Sequence, residues 1–165
     1  MASDLEVAPI SGMDDDIAVL IEEAGSAGFP FMETLRREWV SGENRFDAPG
    51  ECYLAIYRHG EMVAAGGLNR DPYADDPAIG RIRHVYVRKA ARRTGAGRHL
   101  LERLVAHAGT TFTRLRLRTR TAEGAAFYET IGFERCGDET ATHVLDLQAA
   151  ALSAAPPLST KRLPQ

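Results

Sequence analysis

The stretch Val85-Tyr86-Val87-Arg88-Lys89-Ala90-Ala91-Arg92-Arg93-Thr94-Gly95-Ala96-Gly97-Arg98 runs from β-branched residues into a basic, glycine-bearing turn and then into the apolar-periodic segment that begins His99-Leu100-Leu101. Such a strand-turn-helix corner is suited to holding a phosphate. At a helix N-terminus several backbone N–H groups lack an intrahelical partner and the helix dipole is positive, so an anion is bound without dedicated side chains. Gly95 and Gly97 leave out the Cβ atoms that would hold ligand oxygens away from those N–H groups, and Arg92, Arg93 and Arg98 add positive charge. Spacing separates the kinds of phosphate site. A Walker loop requires a Lys followed by Ser or Thr after the glycines, and none is present. A dinucleotide fingerprint requires a small residue where Leu100 stands and an acidic residue about 20 residues further on, and Leu115 to Arg120 supplies none, which leaves a nicotinamide-dependent enzyme as a weak alternative.

Other chemistry-bearing residues cluster near this corner. His84 lies just before it and has an ordinary pKa close to neutrality, as a proton acceptor requires; strict strand alternation would put it on the face opposite Arg81. Glu43 and Asp71 are carboxylates available for the same task. Arg81 and Arg83, with Arg114, Arg116 and Arg118, could bind an anionic group, while Asp71, Asp75 and Asp76 could attract an ammonium; surface salt bridges and a solvated turn are the plainer reading of both groups. Cys52 and Cys136 form no metal-ligand pattern and read as buried reduced thiols, so no metal is expected.

The elements that must position these residues follow from periodicity. Leu5 to Ile10 reads as a strand. Ile17, Leu20, Ile21 and Ala24 form a helical stripe capped by Asp14 to Asp16, and Phe31, Leu35 and Trp39 form a second one behind Pro30, which suits a first helical position. Cys52 to Tyr57 and Met62 to Leu68 make a hairpin about His59-Gly60, and Asn69 to Ala78 is a loop by its prolines and aspartates. The strand Ile79 to Val87 leads into the anion turn and a helix with Leu100, Leu101, Leu104, Val105 and Ala108 on one face, ended by Gly109. Thr113 to Arg120 alternates strictly; Ala122 to Ile131 is a helix with Thr121 as N-cap and Gly132 past its end; Phe133 to Cys136 and Thr142 to Leu147 close as a hairpin. These elements predict an α/β fold with a mixed central sheet, its parallel part near residues 79 to 119, in one domain over residues 1–147 followed by an Ala/Pro-rich tail over 148–165. With 165 residues, 44% of them hydrophobic and 26% charged, the composition is that of an ordinary soluble protein, and no segment has the apolar length of a membrane span. No signal segment is read at the N-terminus, which implies a cytoplasmic protein, and a net charge of -3 argues against nucleic-acid binding.

Arg92-Arg93-Thr94-Gly95-Ala96-Gly97 resembles the [QR]-x-x-G-x-[GA] signature of the GNAT superfamily of N-acetyltransferases. Ala126-Phe127-Tyr128-Glu129-Thr130-Ile131-Gly132-Phe133 resembles the A-x-x-F-Y-x-x-x-G-F block that closes the core of that family, and the element order β-α-α-β-β-β-α-β-α-β-β is also its order. The resemblance spans roughly residues 5 to 147 and implies a mostly antiparallel central sheet with helices on both faces. It implies acetyl-CoA as cosubstrate, with the pantetheine arm along Val85, Tyr86 and Val87 and the pyrophosphate on Arg92, Arg93, Thr94, Gly95, Ala96, Gly97 and Arg98. Phe127 and Thr121 would complete the cofactor site, although Thr121 stands where many relatives have Asn. Tyr128 would be the phenol beside the thioester sulfur. Many relatives carry a glutamate base where this chain has Arg81, and arginine cannot serve as one. Arg81 would instead lower the pKa of the acceptor amine or clamp an anionic group on the acceptor, unless it pairs with Asp75 or Asp76. The function implied is transfer of acetyl from acetyl-CoA to a small-molecule primary amine such as an amino acid, polyamine or antibiotic; a protein or peptide acceptor and a non-catalytic acyl-CoA-binding regulator are the alternatives. A homodimer is left open.

Overall fold

Met62 to Asn69 is a run of eight residues buried on both faces, and the fold is laid out around it. The structure, a computed structural model, describes residues 4–148, so the expected tail lies outside the described residues except for Gln148. The strands are β1 (Leu5–Pro9), β2 (Cys52–Arg58), β3 (Glu61–Arg70), β4 (Ile79–Val87), β5 (Arg114–Leu117), β6 (Glu134–Arg135) and β7 (His143–Asp146), hydrogen-bonded in the order β1-β2-β3-β4-β5-β7-β6. All neighbours are antiparallel except β4 and β5. That pair needs a crossover, supplied by α3 (Ala96–Ala108). The mixed, mostly antiparallel sheet with helices on both faces agrees with the sequence reading.

Each face of the sheet carries its own core. On one side α1 (Asp15–Ser26) and α2 (Phe31–Ser41) bury Ile17, Leu20, Ile21, Ala24, Met32, Leu35 and Trp39 against Tyr53, Ala55, Ala65 and Tyr86. Asp14 caps α1 by accepting from the Asp16 and Ile17 N–H groups. The stripe of α2 is broader than expected: Leu35 and Trp39 are buried as read, Phe31 is half-buried against the same core, and Met32 and Glu38 are drawn in beside them. Pro30 stands one position earlier than expected, as the N-cap residue itself. On the other side α3 and α4 (Ala122–Ile131) pack Leu100, Leu101, Leu104, Phe127 and Tyr128 on Leu68, Ile82, Leu115 and Leu117. Thr121 caps α4 through its hydroxyl, as expected.

Two expectations are corrected. The strand read over Thr113 to Arg120 is regular only at Arg114–Leu117, where β7 accompanies it. Cys52 and Cys136 are free but only half-buried. Among the described residues no helix is long and apolar enough to cross a membrane.

Candidate active site

The parallel ladder between β4 and β5 pairs Ile79, Gly80 and Arg81 with Arg114, Leu115 and Arg116 and then stops. From Ile82 to Val87 the β4 edge facing β5 has no strand beside it. The Arg88 N–H donates to the Val63 carbonyl of β3, so by alternation the N–H and C=O of Val85 and Val87 point away from β3, into the gap. An extended ligand of strand-like geometry can be held there through backbone groups.

The gap coincides with an irregularity in β4. Pairing with β3 runs Ala65 with Tyr86 and then Gly67 with Arg83, so β4 carries one extra residue opposite Gly66, a β-bulge. His84 sits in it with φ of 54°, and the buried Tyr53 hydroxyl donates to the His84 carbonyl at 2.7 Å. A Cβ on Gly66 would lie 2.8 Å from a Val85 methyl and 3.2 Å from Leu100, so the missing side chain makes the room that Val85 fills. The bulge corrects the expectation for His84. Its ring does not lie opposite Arg81 but packs edge-on against Phe46, on the α2 side, with Arg83 and Arg81.

After β4 a 3-10 turn at Lys89–Ala91 leads to Gly95, the N-cap of α3, which has φ of 93° and no side-chain cap. The first intrahelical bond runs from His99 N–H to Gly95 O, leaving the preceding amides of the turn open to an anion. Arg93 also adopts positive φ, 66°, and is exposed. The Thr94 hydroxyl donates to the Ala91 carbonyl and tightens the turn. The two glycines act differently from each other. A Cβ on Gly95 would meet nothing, so that position needs glycine for its backbone angle; a Cβ on Gly97 would come within 3.2 Å of Val87 and 3.3 Å of Phe127. Gly97 therefore clears space against side chains lining the gap rather than against the helix-end amides alone. Arg92 turns back on β4, donating to the Val87 carbonyl at 3.0 Å and covering the Tyr86 ring. Arg98 reaches the Thr130 carbonyl and Glu102.

Tyr128 lies on α4, its ring edge-on to Phe127 and Phe133. Burial pushes its phenol above the ordinary range, so the hydroxyl stays protonated, and it has no hydrogen-bond partner among the described residues. Thr121 commits its oxygen to the Gly124 N–H. Glu129, the next residue, accepts from buried His143 at 2.9 Å and pairs with Arg135 at 3.0 Å, tying α4 to the closing hairpin.

Arg81 is not free. It is 5% exposed, donates to Asp71 at 3.3 Å and to the Thr140 carbonyl at 2.6 Å, and lies beneath the Tyr73 ring. Its carboxylate partner is Asp71, not Asp75 or Asp76. The same Asp71 oxygen takes Arg116 at 2.7 Å, and Arg116 continues to Asp138 and Thr140. Asp71 is thus the hub of a brace joining the β3–β4 loop, β4, β5 and the β6–β7 loop. Glu43, by contrast, is a surface residue with Arg37 at 4.0 Å.

One group near the site was missed by sequence reasoning. Glu38 of α2 is buried, with Arg83 at 3.8 Å and His84 at 3.9 Å, both loose contacts. Glu38 Oε1, His84 Nε2 and Asn69 Oδ1 are buried with no hydrogen-bond partner among the described residues. Burial, reinforced by Arg83 and partly offset by the Phe31 backbone, lowers the His84 pKa to about 3, so the ring is neutral. Glu38 falls three residues after Leu35 and seven after Phe31, so it lies on the helical stripe itself, at a position where a charged residue is not expected inside.

Comparison with known proteins places this geometry. A family model described as an acetyltransferase (GNAT) domain matches residues 49–135. No curated protein matches. Among solved structures, a protein of Exiguobacterium sp. 255-15, provisionally described as an acetyltransferase, is similar with TM-score 0.82 and 30% identity over 92% of this chain and 99% of its own. A GCN5-related N-acetyltransferase of Kribbella flavida has TM-score 0.67 at 18% identity, covering 87% of this chain and 97% of its own. The ribosomal-protein-S18-alanine N-acetyltransferase of Escherichia coli has TM-score 0.62 at 16% identity, covering 87% and 94%; the last two likenesses are of fold.

Proposed function

The chain belongs to the GNAT acetyltransferase family, and from that premise we propose that it transfers the acetyl group of acetyl-CoA to a primary amine of a small molecule by direct attack. The observation that carries the reading is the open β4 edge beside the uncapped α3 N-terminus. Together these fit an elongated ligand with a diphosphate at one end. Acetyl-CoA supplies the activated acyl thioester; the chain's own groups hold and polarise it. The Val85 and Val87 backbone groups take the pantetheine arm, and the Val87 N–H is the donor for the acyl oxygen as charge develops there. The amides of Gly95, Ala96, Gly97 and Arg98, with the Arg93 side chain, take the pyrophosphate. The Tyr128 O–H donates to the sulfur as it leaves, a role that its unpartnered, protonated phenol supports. Arg81 is a positioning residue. Its charge is held by Asp71, and this removes the reason for expecting an anionic group on the acceptor.

Two measurements test this. Titration calorimetry should detect acetyl-CoA binding by the wild-type protein, with affinity falling roughly tenfold or more in Arg93→Glu, since one reversed charge beside the pyrophosphate exceeds the worth of a typical exposed pair. A panel of amino acids, polyamines, aminoglycosides and short peptides, read by release of free CoA thiol, identifies the acceptor. Unchanged affinity in Arg93→Glu, or turnover of peptides alone, would overturn the corresponding half of the proposal.

A further inference from the structure

The acetyl-transfer reading has so far assigned no group to remove the proton of the acceptor's ammonium: Arg81 is locked on Asp71 and arginine cannot act as a base. The structure offers a carboxylate elsewhere. Glu38 reaches from α2 to the bulge of β4, and its Oε1 stands 3.9 Å from His84 Nε2. Both atoms are buried acceptors without a partner among the described residues. Such atoms are costly when left unsatisfied, so a bound group that satisfies them is favoured. The spacing suits it: one donor atom at about 2.8 Å from each acceptor fits between them, the ordinary length of a hydrogen bond. Asn69 Oδ1, a third lone acceptor, lies on the same side of the sheet, since Gly67 two residues earlier faces Phe46 and Tyr53.

We infer that Glu38 is the group that receives the proton of the acceptor's ammonium. This rests on the acetyl-transfer reading and assigns its missing base. The ammonium gives one proton to the Glu38 carboxylate, leaving a neutral amine and a carboxylic acid. The amine nitrogen then forms the bond to the acyl carbon while the carbon–sulfur bond breaks. The amine's second proton balances the departing thiolate, which leaves as thiol with Tyr128 as its hydrogen-bond donor, and the proton on Glu38 passes to solvent. Arg83, at 3.8 Å, faces the same carboxylate.

The test compares the amines that wild type turns over in the panel with hydroxylamine, whose nitrogen is already uncharged at neutral pH. Glu38→Gln, nearly isosteric, should lose about 10²-fold in kcat on the basic amines and no more than a few fold on hydroxylamine. Glu38→Asp should fall between, with the same discrimination. Calorimetry with CoA in place of acetyl-CoA, where no chemistry follows, should show weaker binding of the basic amine to Glu38→Gln and unchanged binding of CoA itself. Equal loss on both classes of acceptor would make Glu38 structural and overturn the inference, as would undiminished turnover of the basic amines. If Glu38→Gln does not fold, the split between acceptors in Glu38→Asp decides in the same way. Failure of the acetyl-transfer reading would look different: wild type itself would turn over no amine, and the assignment of Glu38 would fall with it.

Discussion

From Val85 to Arg98 the chain presents backbone, an unaccompanied strand edge and an uncapped helix end, whereas from Ile79 to His84 the same strand offers side chains already engaged with other elements. In the first region the working groups are strand amides left without a neighbour and helix amides left without a cap, and the side chains that matter are mostly absent ones, at Gly66, Gly95 and Gly97. In the second, Arg81 and Arg83 meet carboxylates from a loop and from α2, and each contact depends on residues distant in sequence. A backbone site tolerates many side chains while its path is kept. A side-chain site is particular to its chain, and here that is the side on which the acceptor is expected.

The contrast predicts that damage in the two regions will have different signatures. The largest effect is expected at the hub of the side-chain region. Asp71→Asn leaves Arg81 and Arg116 without their shared buried charge, and breaking such a pair costs about 3–5 kcal/mol. Urea denaturation should show that loss. At denaturant concentrations where the variant remains folded, acetyl-CoA affinity should be unchanged, because the brace does not touch the α3 turn. A similar loss of cofactor affinity would join the two regions and break the comparison.

Tyr128→Phe tests the opposite side with little stability effect, since the ring keeps its contacts with Phe127 and Phe133 and the hydroxyl has no partner to lose. Turnover should fall roughly 10²-fold with acetyl-CoA affinity retained, the range expected for a lost proton donor. Wild-type turnover would return Tyr128 to a packing role.

The next effect is on stability against pH. His84 is neutral in the folded protein, with a pKa lowered to about 3 by burial and by Arg83, while the unfolded chain's histidine titrates near its ordinary value of about 6.5. The unfolded state therefore takes up the proton first on acidification. The contribution is complete above the unfolded value and is lost as pH falls toward the folded one, with a slope approaching about 1.4 kcal/mol per pH unit. The groups facing the ring are Arg83, Glu38, Phe46 and the Phe31 backbone. His84→Asn should flatten the slope between pH 6 and pH 4 (both about the His84 window) relative to wild type. Parallel curves for the two proteins would show that the ring does take a proton when folded.

How much of this could be read from the chain follows the same division. The glycine turn before α3, the helix after it and α4 were legible because they depend on local signals: positive-φ glycine, apolar periodicity and a Thr N-cap. The bulge was not foreseen, although Gly66-Gly67 inside an apolar strand is the kind of pair that marks one. Missing it inverted the face given to His84. Arg81 stands out in the sequence, but among the loop carboxylates its partner is Asp71, the first residue after β3, and not Asp75 or Asp76. Glu38 stands at helical spacing from Phe31 and Leu35, but a charged residue is not expected on a buried stripe, and its neighbours there, Arg83 and His84, are distant in sequence. Local backbone rules are written in the sequence; the meeting of distant side chains is not.

The smallest effect separates the two glycines of the turn. Gly95 has φ of 93°, and a Cβ built on it meets no atom, so Gly95→Ala carries only the cost of holding an L-residue in a left-handed conformation, about 1 kcal/mol. The helix-end amides would keep their direction in any molecule that stays in this conformation, so acetyl-CoA affinity should change little. Gly97→Ala brings its methyl within 3.2 Å of Val87 and 3.3 Å of Phe127, two side chains that border the gap. That variant should weaken acetyl-CoA binding more than it lowers the melting temperature, because the displaced side chains can move toward the space the ligand needs. Measuring both variants by thermal melting and by calorimetry gives a crossed expectation: Gly95→Ala mainly in stability, Gly97→Ala mainly in affinity. If Gly95→Ala loses affinity while keeping its melting temperature, the turn relaxes to relieve its backbone and the amide cradle is softer than its angles indicate.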